Sequence, residues 1–152
     1  MSKKVYVLLA EGFELIEAMT PVDVLRRGGV EVVTVSITDN REVTSAQKVP
    51  VISDTTLKEK DITDGDMIIL PGGYPGYVNL GESQEVGKVL KYYVENNKFV
   101  GAICGAPTVL AKNEVFLGKE LTCHSSVVEE MKGYNYNGSK AFTDGNLITG
   151  MG

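Results

Sequence analysis

The chain is organised around Phe99-Val100-Gly101-Ala102-Ile103-Cys104-Gly105-Ala106-Pro107-Thr108. A short apolar run ends at a cysteine, small residues flank that cysteine, and a helical pattern follows at once. This order is typical of a nucleophile elbow, a tight strand-to-helix turn that lifts one reactive side chain above a sheet. We expect the N-terminus of the following helix to favour the thiolate of Cys104. The alternative is a buried core cysteine, which is the commoner role of a free cysteine.

Outward from this turn, the chain alternates between continuous apolar runs and segments with helical spacing. We predict strands over residues 4–9, 31–37, 67–70, 99–103 and 121–123, and helices over residues 15–27, 83–96 and 106–112. Continuous apolar strands are typical of a parallel sheet buried on both faces, and their alternation with helices predicts an α/β fold. We therefore expect a single domain over residues 1–152, with helices on both faces of a parallel sheet.

Several local features carry further expectations. Pro21 lies within the first helix, which should kink there or restart with Thr20 as its N-cap. Residues 42–45 and 49–53 should form a hairpin at the sheet edge, and a capping box at Ser126 should open a helix. Residues 147–152 form a strand and a glycine-rich loop, with no helix left to cover that strand. We expect the natural protein to continue with a C-terminal helix that is missing from this chain.

Composition limits the functions open to the chain. Its 152 residues carry a net charge of −5 and no block of lysine or arginine, which argues against nucleic-acid binding. No apolar run reaches the ~20 residues of a membrane span, and no signal peptide is present, so we expect a cytoplasmic protein with reduced thiols. Two cysteines and one histidine are too few for a structural zinc site, so no metal is expected.

Four features follow predicted strands: the loop after the first strand, a glycine pair, the cysteine and the histidine. Open α/β sheets bind ligands at the carboxyl ends of their strands. Gly72 and Gly73 would expose backbone N–H groups to a developing oxyanion, together with the N–H of Gly105, or they form a plain tight turn. His124 is the single histidine, so a catalytic pair with Cys104 must use it; a structural role is the alternative.

Two glutamates, Glu14 and Glu17, stand three residues apart on one face of the first helix. Either could reach the cysteine, and simple surface solvation is the alternative for both. A glutamic acid that stays protonated beside a thiolate donates a hydrogen bond to it and stabilises the anion.

Taken together and in order, five segments resemble the ThiJ/PfpI superfamily, and most closely its DJ-one-like branch of protein deglycases. They are Glu11-Gly-Phe-Glu-Leu-Ile-Glu17, Pro21-Val-Asp-Val-Leu-Arg-Arg27, Leu70-Pro-Gly-Gly73, Ala102-Ile-Cys-Gly-Ala-Pro-Thr108 and Thr122-Cys-His124. The resemblance covers nearly the whole chain and implies a flavodoxin-like three-layer sandwich, usually a homodimer. It also implies site roles: a nucleophile at Cys104, a protonated acid at Glu17, a nearby histidine at His124, and an anion pocket at Gly72, Gly73 and Gly105.

The function implied by this resemblance is a cysteine-dependent enzyme without cofactor. It would act on small reactive carbonyls or glycated protein side chains, as a deglycase or glyoxalase that protects against oxidative stress. A redox-sensing chaperone without turnover is the alternative, because hydrogen-bond donors around a cysteine also stabilise its oxidised forms. A cysteine peptidase or amidase is a third possibility, disfavoured because the peptidase branch carries histidine where this chain has Gly105. Relatives often carry arginine where this chain has Gln47.

Overall fold

The computed structural model describes residues 2–152, which form eleven strands, four α-helices and one 3₁₀ helix. In chain order these elements are β1 (Lys4–Leu9), α1 (Leu15–Arg27), β2 (Glu31–Ser36), β3 (Glu42–Thr44), β4 (Pro50–Ile52), β5 (Thr55–Thr56), β6 (Met67–Leu70), α2 (Gly76–Glu82), α3 (Gln84–Glu95), β7 (Phe99–Ile103), α4 (Pro107–Lys112), β8 (Glu120–Leu121), the 3₁₀ helix Ser125–Glu130, β9 (Asn135–Tyr136), β10 (Ala141–Asp144) and β11 (Leu147–Gly150). No helix of this set is long and apolar enough to cross a membrane.

Seven strands form one central sheet in the order β10-β11-β7-β6-β1-β2-β5. Every neighbouring pair is parallel except β10 with β11, which form the closing hairpin. The predicted α/β class with a mostly parallel sheet is therefore confirmed. Because β1, β6 and β7 lie side by side and run in the same direction, their carboxyl ends meet at one edge of the sheet.

The central strands are buried on both faces because successive side chains point to opposite sides of a sheet. In β1, Tyr6 and Leu8 point into a core closed by α2, α3 and α4. Val7 and Leu9 point into the second core, beneath α1. This two-sided burial explains why the strands read as continuous apolar runs.

Helix α1 spans the predicted residues without a break at Pro21. A proline in this position removes the N–H that would donate to the carbonyl of Glu17. The helix continues to Arg27 nonetheless, and its N-cap is Glu14, so the predicted restart at Thr20 is wrong. A single uninterrupted α1 carries Glu17 towards the carboxyl ends of the central strands.

Other differences from the sequence expectations lie in the short elements. The segment after Gly73 forms helix α2, which we did not predict from the sequence. The β3–β4 hairpin is a separate two-stranded sheet, fastened to the chain before α1 by a hydrogen bond from the Ala46 N–H to the Phe13 carbonyl, 2.8 Å. The predicted strand at residues 121–123 is only Glu120–Leu121, and it pairs with β9 outside the central sheet.

The predicted capping box at Ser126 is also wrong. The helix that follows is a 3₁₀ helix, and its N-cap is His124, whose Nδ1 accepts a hydrogen bond from the Ser126 N–H at 3.1 Å. An imidazole nitrogen can satisfy a free N–H at a helix start in the same way as a serine oxygen.

On the α1 face, the single helix leaves part of the sheet uncovered. A groove of about 620 Å³ runs between α1 and the strands β6, β7 and β11. Its lining is mainly apolar and includes Ile16 of α1, Ile69 of β6 and Ile148 of β11.

Candidate functional site

Cys104 occupies the turn between β7 and α4 in a left-handed backbone conformation, with φ 63°. This conformation is unfavourable for a residue with a side chain and costs on the order of 1–3 kcal/mol. Two hydrogen bonds of 2.9 Å hold it: the Cys104 N–H donates to the Gly150 carbonyl, and its carbonyl accepts from the His124 N–H. The turn is therefore tied to β11 and to the segment before the 3₁₀ helix, and the thiol is half-buried and forms no disulfide.

Glu17 projects from the first turns of α1 towards this turn. Its Oε1 accepts a hydrogen bond from the Gly72 N–H at 3.1 Å, which orients the carboxyl group. A Cβ placed on Gly152 would lie 2.9 Å from Glu17 Oε2 and 3.1 Å from Cys104 Sγ. Two atoms that close to one point are at most 6.0 Å apart, so the carboxyl and the thiol border the same small space.

The environment of Glu17 favours its protonated form. Burial raises the pKa of the Glu17 carboxyl, and the negative charge of Glu14 raises it further. The Gly72 N–H, the Cys104 thiol and His124 act in the opposite direction, but the raised direction prevails. This is the condition under which the carboxyl can donate a proton to the neighbouring sulfur.

The expectation that the turn by itself favours the thiolate is not met. Burial raises the pKa of the Cys104 thiol, and the charge of Glu17 raises it further. The backbone N–H groups of Gly105 and Gly73 lower it, but they do not prevail. The ionisation of the Cys104 thiol therefore depends on whether Glu17 is protonated.

The glycines around the thiol differ in what they do. Gly73 has φ 94°, a conformation that favours glycine, and Gly105 lies against the ring of Tyr77, 2.6 Å from where a Cβ would be. The backbone N–H groups of both lower the pKa of the Cys104 thiol. The N–H of Gly72 is instead engaged by Glu17, so the prediction that it serves an oxyanion needs correction. A Cβ on Gly72 would come within 2.7 Å of Cys104 Cβ.

His124 lies next to the turn through its backbone, not through its ring. The imidazole is exposed, and its hydrogen bonds go to Ser126: the Nδ1 accepts from the Ser126 N–H and lies 2.8 Å from the Ser126 hydroxyl. In the part of the chain that the structure describes, no hydrogen bond joins this imidazole to the Cys104 thiol. A cysteine peptidase needs a base within hydrogen-bond reach of its nucleophile. This geometry disfavours the peptidase alternative.

Two residues next to the thiol were not singled out from the sequence. Tyr77 of α2 packs against Gly105, and its pKa is raised by burial and by nearby charges that include Cys104. Gly152 lies against both Glu17 and Cys104 and leaves no room for a side chain. The only available signal was position, since each residue follows a central strand by a few residues.

Residues 3–152 match the model of the DJ-1/PfpI family. Protein dj-1beta of Drosophila melanogaster is 38% identical over 154 residues, which cover 100% of this chain and 82% of that protein. Its crystal structure superposes with a TM-score of 0.96 at 37% identity, covering 100% of this chain and 83% of the solved one.

Two further relatives carry names that state an activity. The glutathione-independent glyoxalase DJR-1.2 of Caenorhabditis elegans is 34% identical, with coverage of 99% of this chain and 81% of that protein. YraA of Bacillus subtilis, by its name only a proposed cysteine protease, is 32% identical, with coverage of 98% and 89%. With the fold and the motifs in agreement over the whole described chain, the protein belongs to the DJ-1/PfpI family.

Proposed function

We propose that the chain is a cofactor-independent enzyme that converts small reactive carbonyls, with methylglyoxal as the model substrate, into hydroxy acids. The observation that carries this proposal is the shared space between Cys104 Sγ and Glu17 Oε2, with the pKa of Glu17 raised. The relative named as a glutathione-independent glyoxalase supports the same substrate class. Early adducts of such carbonyls on protein side chains present the same kind of carbon and are the second substrate class.

The first step is activation of the thiol. The charge of Glu17 is the second-largest cause of the raised pKa of Cys104. When Glu17 holds its proton, that charge is absent and the carboxyl O–H becomes a donor to the sulfur. The N–H groups of Gly73 and Gly105 then stabilise the thiolate without opposition from a neighbouring anion.

The thiolate adds to the aldehyde carbon and forms a C–S bond, while the carbonyl oxygen gains negative charge and takes up a proton. The N–H groups of Gly73 and Gly105 are the nearest donors for that oxygen, and Glu17 is the nearest acid. Glu17 then carries a proton between the two adjacent carbons, which converts the adduct into a thioester. Water breaks the C–S bond, releases lactate and restores the thiol. The sum is one methylglyoxal and one water to one lactic acid, so no redox partner is needed.

The proposal is tested by lactate formation from methylglyoxal with purified protein. Cys104→Ala removes the nucleophile and should abolish lactate formation, whereas Cys123→Ala provides the matched control because Cys123 is the only other cysteine and is fully buried. Retention of the wild-type rate by Cys104→Ala would overturn the proposal. Circular dichroism of both variants separates loss of chemistry from loss of fold.

A second candidate function is redox sensing at the same cysteine. Cys104 is the more accessible of the two thiols, and its sulfur faces two backbone donors and one carboxyl group, which stabilise oxidised sulfur anions. Mild peroxide should therefore add two oxygens to Cys104 before any methionine is oxidised, as read by intact-mass and peptide analysis. Oxidation spread evenly over the methionines would remove this candidate.

We also propose that the chain pairs with a second copy. Large apolar side chains are exposed on neighbouring elements, with Val24 of α1 at 58% and Ile52 of β4 at 67%. Exposed apolar groups of this size are typical of interaction surfaces. Sedimentation equilibrium should give a dimer, and Ile52→Lys should shift the equilibrium towards monomer; a monomer at all concentrations would refute the pairing.

A further inference from the structure

We propose that Gln47 is a positioning residue that holds the Glu14 carboxylate at the start of α1, and that the charge held there keeps the proton on Glu17. The inference rests on the proposed function and deepens it, because it adds a device outside the thiol pocket that sets the working state of the acid. Within residues 2–152, the side-chain hydrogen bonds of Gln47 go to Glu14 and Leu15 and not to the thiol.

The Gln47 side chain makes two hydrogen bonds at the start of α1. Its side-chain Oε1 accepts a hydrogen bond from the Leu15 N–H at 3.1 Å, and its Nε2 donates to Glu14 Oε1 at 2.9 Å. The turn that carries it is itself fixed, because the N–H of the preceding residue donates to the Phe13 carbonyl at 2.8 Å. The β3–β4 hairpin thus positions the Glu14 carboxylate.

The amide of Gln47 holds this carboxylate without neutralising it. None of the ion pairs formed by residues 2–152 includes Glu14 or Glu17. A lysine or arginine in place of Gln47 would make the same contact and cancel the charge. A neutral donor leaves the negative charge of Glu14 in place at the N-cap of α1, three residues before Glu17. Both glutamates bind Gly72: the Glu14 N–H donates to its carbonyl at 2.9 Å, and Glu17 Oε1 accepts from its N–H at 3.1 Å.

The groups that face Glu17 from each packed element have opposite effects on the ionisation of its carboxyl. The Gly72 N–H before α2, Cys104 after β7, and His124 before the 3₁₀ helix all favour the ionised carboxyl. Apart from burial, the opposing influence is Glu14 at the N-cap of α1. Glu14 is therefore the charged side chain through which the protonation of Glu17 can be adjusted.

The expected effect is modest and measurable. Glu14 is the N-cap of α1 and Glu17 its third residue, two positions that lie close together at a helix start, roughly 6 Å apart. At that separation a unit charge in water-like surroundings changes a neighbouring ionisation constant about threefold, and more where the groups are partly buried. The charge of Glu14 should reach Cys104 mainly through Glu17, since Glu17 and not Glu14 stands among the causes of the raised pKa of the thiol.

Four single variants test the inference by the sign of their effects. Glu14→Gln removes the charge, Gln47→Arg cancels it, and Gln47→Glu adds a second negative charge at the same place. Asp23→Asn is the control, because it removes an exposed carboxylate from α1 two turns away from the site. The carboxyl of Glu17 is titrated by isotope-edited infrared spectroscopy, and the thiolate of Cys104 by its rate of alkylation with iodoacetamide against pH.

Glu14→Gln and Gln47→Arg should each increase the ionisation constant of the Glu17 carboxyl about threefold, so that Glu17 ionises at a lower pH. Both variants should therefore slow the alkylation of Cys104 at neutral pH. Gln47→Glu should shift both readouts in the opposite direction, and Asp23→Asn should leave them unchanged. A purely structural role of Gln47 would give Gln47→Arg and Gln47→Glu effects of the same sign, which would overturn the inference. So would a Glu17 titration that none of the variants moves.

This outcome is separable from the fate of the proposed function. Loss of the proposed function would appear as lactate formation that persists in Cys104→Ala, whatever the titration of Glu17. Failure of the present inference would appear as an unmoved Glu17 titration in protein whose lactate formation still requires Cys104.

Discussion

The substitution Glu17→Gln separates the two tasks that the account gives to Glu17, namely stabilising the thiolate and carrying protons. The glutamine amide keeps the shape of the carboxyl and a donor for the sulfur, but it has no titratable proton. Glu17 Oε2 and Cys104 Sγ lie at most 6.0 Å apart. A unit charge at about 6 Å is worth about 0.7 kcal/mol in water and about 2.8 kcal/mol at an effective dielectric constant of about 20.

Because 6.0 Å is the largest separation that these contacts allow, each energy is a lower limit for its dielectric constant. Removal of the Glu17 charge should therefore increase the ionisation constant of the thiol at least about threefold in water-like surroundings, and at least about a hundredfold at an effective dielectric constant of about 20. Both groups are half-buried, so the increase should exceed threefold. Iodoacetamide should therefore alkylate Cys104 in Glu17→Gln at least as fast as in the wild type near neutral pH. The advantage should grow at higher pH, where the wild-type carboxyl ionises.

Turnover should respond in the opposite way. Loss of a positioned acid–base group typically costs on the order of 10²–10⁴ in rate, so lactate formation from methylglyoxal should fall at least a hundredfold while alkylation is preserved. The two assays use the same protein preparation, which controls for folding. A Glu17→Gln variant that forms lactate within threefold of the wild-type rate would refute the role of Glu17 as proton carrier.

Three further predictions follow from the same contacts. Gly105→Ala places a Cβ 2.6 Å from the Tyr77 ring, so alkylation and lactate formation should both fall at least tenfold; unchanged rates would show that the pocket tolerates a shift of Tyr77. Because the pKa of Glu17 is raised in the folded state, its contribution favours folding at pH below the unfolded value of about 4.5 and is lost as pH rises through the folded value. Glu17→Gln should thus melt at a higher temperature than the wild type at pH 8 and show no such gain at pH 4; an equal gain at both would contradict this sign. Ser83→Ala removes the N-cap hydrogen bond to the Val86 N–H and should cost about 1 kcal/mol in urea unfolding, with activity unchanged; no loss would mean that water replaces the cap.

The sequence was most informative where burial and periodicity agree. The strands that became β1, β6 and β7 are continuous apolar runs, and α1 and α3 show helical spacing with recognisable ends. These strand and helix patterns together predict that Cys104 lies at the carboxyl edge of the sheet and that Glu17 lies on a helix that leads to this edge. Both observations depend on local pattern plus the general rule for parallel sheets.

The short elements were harder to predict for a physical reason. Helix α2 and strand β8 contain too few residues for periodicity to appear, and tertiary contacts decide their conformation. The serine–glutamate spacing at Ser126 resembles a capping box, but the preceding His124 satisfies the free N–H groups first. The separation of His124 from the thiol depends on this cap and could not be read from the sequence.

The electrostatics of the site were also beyond sequence reasoning. A cysteine at a strand-to-helix turn suggests a lowered pKa, yet the pKa of Cys104 is raised because the site is half-buried and Glu17 stands close. Likewise, Gly72 looks like an oxyanion donor from its place in the motif, but its N–H is bound to Glu17. The pKa of the thiol and the partner of each N–H depend on which groups the tertiary structure brings together, and the sequence does not give this.

The central claim is that Glu17 keeps its proton while Cys104 becomes a thiolate. It is tested most directly by following both groups in one pH titration, with isotope-edited infrared absorption for the Glu17 carboxyl and ultraviolet absorption for the thiolate. The thiolate signal should develop while the protonated-carboxyl band of Glu17 persists, and that band should shift when Cys104 is replaced by serine. A carboxyl that ionises near its ordinary pH of about 4.5, followed by a thiol that stays protonated well above neutrality, would contradict it.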